Sequence, residues 1–188
     1  MSESAPTPSR RLQGAAALDD PLVAELLEKR LVAVLATHEP DGAIHAVAIW
    51  YARDGDAVVL ATGSRSRKVA NVLRDGRATL TLHDSRPGCE ISGASLIGRA
   101  EVVDGPAAGP LVELVHRRYL APEADELAPV REFFASDDLA LRFRPERAFT
   151  WDERDSEAAA SLAGTDLAYR LESTSPLGYG ESSAKLAQ

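Results

Sequence analysis

The segment TGSRSRKVANVLRD, Thr62 to Asp75, places Arg65, Arg67 and Lys68 within four positions, just where a helix begins. Aligned peptide dipoles leave about half a positive charge at a helix N-terminus, so cations there are unfavourable by themselves. A phosphate would resolve the conflict. Ser64 or Ser66 can cap the helix, the first free N–H groups then point outward, and Arg67 and Lys68 add charge-assisted hydrogen bonds. No acidic side chain falls between Asp56 and Asp75 to neutralise the cluster locally. The competing explanations are a solvated basic face and pairing with acids from elsewhere in the chain. Neither G-x-x-x-x-G-K-S/T nor G-x-G-x-x-G occurs, so a nucleoside-triphosphate P-loop and a Rossmann site lack support.

Other reactive residue types are scattered. His38, His45, His83 and His116 have no metal-ligand spacing, and each reads as a surface or strand histidine. Cys89 reads as a structural thiol, and Ser92 and Ser95 lie in no nucleophile elbow. Trp50 and Trp151 either fill the core or wall a pocket by stacking on a flat ring. The basic run HRRYL, His116 to Leu120, ends a helix, and the dipole alone accounts for it. No acid–base pair stands out, which assigns any reactive centre to a bound cofactor.

The elements that must position these groups follow from patterning. The chain has 188 residues, 45% of them hydrophobic, which suits one domain with a real core. A net charge of −8 argues against nucleic-acid or anionic-membrane partners. No apolar run approaches the ~20 residues a membrane span needs. One cysteine allows no internal disulfide, and the N-terminal residues lack the apolar core of an export leader. The expectation is a soluble, cytoplasmic protein.

Residues 1–18 read as a disordered lead, 19–154 as the folded domain, and 155–188 as a polar, mobile tail. Asp19 or Asp20 caps a helix with Pro21 at its first position, running to about Lys29. Strands are expected over 31–37, 43–52 and 57–62, joined by tight Asp-Gly turns as an antiparallel meander. A short helix follows the basic loop, then an alternating strand over 77–83. Residues 90–103 form a long strand with Gly93 and Gly98 as bulges or close-approach points. Helices over 106–120 and 123–134 precede two last strands, 138–143 and 147–151. Six or seven mostly antiparallel strands with inserted short helices hide their edges best by closing into a barrel. A barrel this small holds its ligand outside, in a groove or at a subunit boundary.

The block RLVAVLATHEPDGAIHAVAIWYARDGDAVVLATGSRSRKVANVLRDGRATLTLHD resembles the pyridoxamine-phosphate-oxidase-like split β-barrel superfamily, whose members bind FMN or the deazaflavin F420. The resemblance implies a homodimer with the cofactor at the subunit interface and a small-molecule substrate. VVLATGSRSRKV is similar to the family's phosphate-binding segment. That match assigns Ser66, Arg67 and Lys68 to the cofactor phosphate with Asn71 beside them, and Ala61 and Thr62 along the cofactor. HAVAIWY resembles the strand lining the ring edge, which assigns Ile49 and Trp50. RPERAFTW resembles the final strands, with Trp151 reaching the site across the dimer. Val47, Ala52 and Gly93 stand where the vitamin B6 oxidases carry basic residues and a glutamine, and their C-terminal signature is missing. ATHEPDG, the Trp50 strand and HRRYL look like the F420-dependent reductase branch. The implied function is hydride transfer between F420 and a small organic substrate. FMN is the alternative cofactor, and a carrier or sensor without turnover is the alternative role.

Overall fold

In a computed structural model, residues 10–86, 90–165 and 167 are described. The order is β1 (Arg10–Gln13), α1 (Pro21–Glu28), β2 (Ala33–His38), β3 (Ile44–Ile49), β4 (Tyr51–Asp54), β5 (Ala57–Gly63), α2 (Arg67–Arg74), β6 (Arg77–Arg86), β7 (Glu90–Val103), α3 (Ala108–Tyr119), α4 (Ala128–Phe134), β8 (Asp138–Asp152) and α5 (Glu157–Leu162). Seven strands form one antiparallel path, β3-β2-β6-β7-β8-β5-β4, and β1 pairs with β8 beside it. β3 and β4 stand at opposite ends of that path, yet only Trp50 separates them in the chain. The sheet must therefore curl until its two ends nearly meet, which gives the split β-barrel.

The expected single strand over 43–52 is thus two strands broken at Trp50. Alternation still holds through the break: Ile49 and Tyr51 are buried while Ile44, Ala46 and Ala48 face out. Periodicity reports which face a residue takes, not which neighbour its strand pairs with. The reverse difference occurs at the end, where the two expected strands are one, β8. Its register slips between Ile97 and Gly98 as β7 passes Pro145. The proline and the bulge interrupt the ladder without ending it. Gly98 allows the approach, since a Cβ there would stand 2.1 Å from the Arg144 carbonyl oxygen.

The inner face packs Leu35, Leu60, Leu80, Leu96, Leu141 and Phe143 against Leu26 and Leu27 of α1 and Val69 and Val72 of α2. Asp20 is the α1 cap, accepting from Leu22 N at 3.1 Å and Val23 N at 3.4 Å. Residues 10–18 were expected to lack structure. They carry β1 and a 3-10 turn over Ala15–Asp19 that buries Ala17 and Leu18. Two apolar side chains in a short polar lead gave no readable period. The expected polar tail begins with α5, capped by Ser156 through Ala159 N at 3.1 Å. Residues 1–9, Cys89 and 168–188 lie outside the described residues.

The basic end of α3 does more than answer the dipole. Arg118 donates to the carbonyls of Leu27 and Lys29, and the Tyr119 hydroxyl donates to Leu31 O at 2.6 Å. These bonds tie α3 to the last turn of α1 and the start of β2. α3 itself lies across the outer side of β4, β5 and β8. The outer face of the other half carries the cross-strand row Ala48, Val34, Thr81, Ser95 and Phe149. At that edge Ala46 and Ala48 are exposed and Ile44 is 58% exposed.

Candidate active site at the mouth of helix α2

Ser66 occupies the N-cap of α2, but its side chain caps nothing. Its hydroxyl accepts instead from Thr62 Oγ1 at 3.2 Å. Ser64 turns away as well, donating to Asp137 Oδ2 at 2.6 Å. Neither the Arg67 nor the Lys68 amide has a side-chain acceptor among the described residues. The first turn thus keeps its outward donors available.

The cations fare differently from one another. Arg67 Nη1 lies 3.5 Å from Glu39 Oε1, with Arg67 69% exposed and Glu39 18% exposed. Glu39 belongs to the β2–β3 hairpin, so pairing with a distant acid does hold for this one residue. Arg65 is exposed and makes no ion pair among the described residues. Lys68 is half-buried and likewise has no hydrogen bond or ion pair among the described residues. Burial pushes its amine below the usual lysine value, and the charge of Asp138 restores only part of the loss. A half-buried ammonium without a partner is costly unless a ligand supplies one.

An open groove of about 430 Å³ begins at Arg67 and runs along Glu39, Asp41, Ile44 and His45. Glu39 Oε1 is buried with no hydrogen-bond partner and lies 4.0 Å from His45 Nδ1.

On the other side of the basic loop, Trp50 and Ala61 pack with Leu111 against Ala52, Val59 and Val115 beneath α3. Trp50 stacks on Tyr119 with centroids 4.7 Å apart and planes 6° from parallel. It meets His116 and Phe133 edge-on, at 6.5 Å and 6.3 Å. His116 is 3% exposed, and its Nε2 lies 3.5 Å from Asp138 Oδ2. Burial pushes the imidazole below its ordinary value, against the pull of Asp138; Arg117 adds to the lowering. An acid–base pair therefore exists where the sequence offered none. Its members are 22 positions apart, and only α3 crossing back over β5 and β8 joins them.

The structure leaves Trp50 and Ala61 packed beneath α3, Thr62 and Ser66 bonded to each other at the basic loop, and Arg67 and Lys68 in the first turn of α2. Ile49 lies in the core. Asn71 is 1% exposed and turned inward, donating to Thr37 Oγ1 at 3.1 Å and accepting from Arg74. Trp151 is elsewhere. Asp138 of β8 pairs with Gly63 at the basic loop, whereas Trp151 pairs with Gly93 near the opposite end of the same strand. Its indole lies so close over Gly93 that a Cβ there would stand 2.1 Å from Cζ2. Trp151 shares the outer face with Phe149, near the opposite end of β8 from the chain's own basic loop.

The sequence profile of the pyridoxamine 5'-phosphate oxidase family matches residues 20–152, which spans the seven-strand path and its helices from α1 to the end of β8. The chain belongs to this family. Among solved structures, the conserved hypothetical protein Rv2991 from Mycobacterium tuberculosis is 32% identical, with a TM-score of 0.61, over 70% of this chain and 83% of that one. A protein described as an F420 reductase is 24% identical, with a TM-score of 0.51, over 66% and 93%. The FAD and heme binding protein from Mycobacterium smegmatis is 20% identical, with a TM-score of 0.58, over 86% and 83%. The last two carry the likeness of fold alone. No curated protein matches. Oxidoreductases occur in this pyridoxamine 5'-phosphate oxidase family, and among the described residues no helix is long and apolar enough to cross a membrane.

Proposed function

We propose that the chain is an F420-dependent oxidoreductase that works as a cytoplasmic homodimer on a small organic substrate. The observation that carries this reading is Lys68: a half-buried, unpartnered ammonium beside two unbonded first-turn amides, which fits a phosphate. Lys68, Arg67 and the amides of α2 would hold that phosphate. The Thr62–Ser66 bond fixes the loop so that these donors stay aimed outward. Bound F420 supplies hydride-transfer chemistry. The protein contributes orientation and exclusion of water, which together can be worth on the order of 7–11 kcal/mol. Trp50, braced by Tyr119, walls one side of the ring site, and Asn71 braces α2 from within. The uncovered small-residue face of β3, β2 and β6 supports a second copy seated there, whose Trp151 would complete the opposite wall.

Lys68→Ala removes one charge-assisted bond, worth ~1.5–3 kcal/mol. It should weaken F420 binding roughly tenfold to a hundredfold in a fluorescence titration, with FMN titrated in parallel. Unchanged affinity overturns the assignment. Steady-state consumption of reduced F420 with an added acceptor separates an enzyme from a carrier.

A further inference from the structure

Glu39 is a feature of this site that works against an anion. Its carboxylate faces Arg67 at 3.5 Å. The hairpin backbone holds it there, through Glu39 N to Ala43 O at 2.8 Å and Gly42 N to Glu39 O at 3.1 Å. Oε1 is buried and accepts no hydrogen bond, so the position is not explained by local bonding. A site built only for maximal negative charge would not keep a fixed carboxylate against one of its two arginine and lysine donors.

Resting on the phosphate reading above, we infer that Glu39 selects the charge of the phosphate: the site takes a phosphodiester, with one negative charge, over a terminal phosphate monoester. Glu39 offsets Arg67, which leaves Lys68 and the partial charge of the α2 N-terminus to meet about one negative charge. A monoester carries about −1.5 to −2 near neutral pH, because its second pKa is about 6. The excess would face Glu39 across a short, partly buried gap, where like charges repel strongly. The phosphate of F420 is a diester, and that of FMN is a monoester.

The test is binding, not turnover. Wild type, Glu39→Gln and Glu39→Asp are titrated with FMN and with F420 at pH 7.5, following cofactor fluorescence. Glu39→Gln should tighten FMN about tenfold and F420 no more than about threefold. Glu39→Asp keeps the charge and should keep the wild-type preference. Equal tightening of both ligands, or no change for FMN, overturns the role of Glu39 while leaving the phosphate site standing. Loss of both ligands in Glu39→Gln but not in Glu39→Asp also overturns it, by making the carboxylate a requirement for binding. If wild type binds neither ligand, the phosphate reading itself falls, and this inference with it.

Discussion

Lys29 and Lys68 sit at opposite ends of β8, both half-buried, in opposite company. Lys29 Nζ lies 2.7 Å from Glu25 and 2.8 Å from Asp84, and Arg154 joins Glu25 to Asp152 in the same network. Burial lowers the Lys29 amine, but the hydrogen bonds to Asp84 and Glu25 outweigh it and leave the value raised. Lys68 has burial without such bonds, and its value is lowered. The same group is thus structural at one end and unfinished at the other. Where the fold uses a lysine for itself, it brings carboxylates from two elements to meet it. Where it leaves one incomplete, the missing partner must come from outside.

The sharpest way to break this comparison is at the structural end. Gly93→Ala drives a methyl into the Trp151 indole and the Leu82 carbonyl. Overpacking of this kind should cost about 1–3 kcal/mol in chemical denaturation, with Lys68 and the basic loop untouched. Next come matched lysine substitutions. Lys29→Met removes the ammonium that bridges Glu25 and Asp84 in a partly exposed network and should cost about 1 kcal/mol. Lys68→Met should leave the ligand-free protein as stable as wild type or slightly more so, because it removes an unpartnered charge. Equal losses for both would erase the distinction.

The smallest effect is in acid, where the two ends should loosen in separate windows. His116 has a lowered value in the folded state, so its contribution is full above its unfolded pKa of about 6.5. That contribution is lost as pH falls through the folded value. Asp138 and Arg117 are the charged groups facing it. Glu25 is lowered chiefly by its hydrogen bond from Arg154, and Asp152 by the same arginine. Their contribution is full above about 4 and is lost only below that. Hydrogen exchange at pH 5.5 should therefore open α3 and α4 while α1 and the end of β8 stay protected. His116→Phe should abolish the early step.

Much of this was legible in the residues. The Asp20–Pro21 start of α1, the alternation of β6 and the special positions of Gly93 and Gly98 follow from short-range chemistry, and the structure has all of them. The basic start of α2 was legible for the same reason, because a helix dipole and three cations conflict within four positions. What could not be read depends on distant chain segments. Glu39 meets Arg67 only after β2 and β6 pair, and Asp138 meets His116 only after α3 folds back over β5. The strand break at Trp50 was hidden because both halves keep one in–out rhythm. β8 looked divided because a proline usually ends a strand, and here a bulge absorbs it.

That single residue between β3 and β4 has a consequence for how the chain assembles. Neighbours in sequence go to the two rims of the sheet, each paired only with its own hairpin partner, so the two hairpins are joined only through the later strands. β5 pairs with a strand some eighty positions later, and nothing local rewards the long loop before it closes. Folding should accordingly be slow for the chain's size, in the millisecond-to-second range of domains dominated by remote pairing. Trp50, caught between the two rims, would be among the last side chains to lose contact with water, and its fluorescence would time the final closing step.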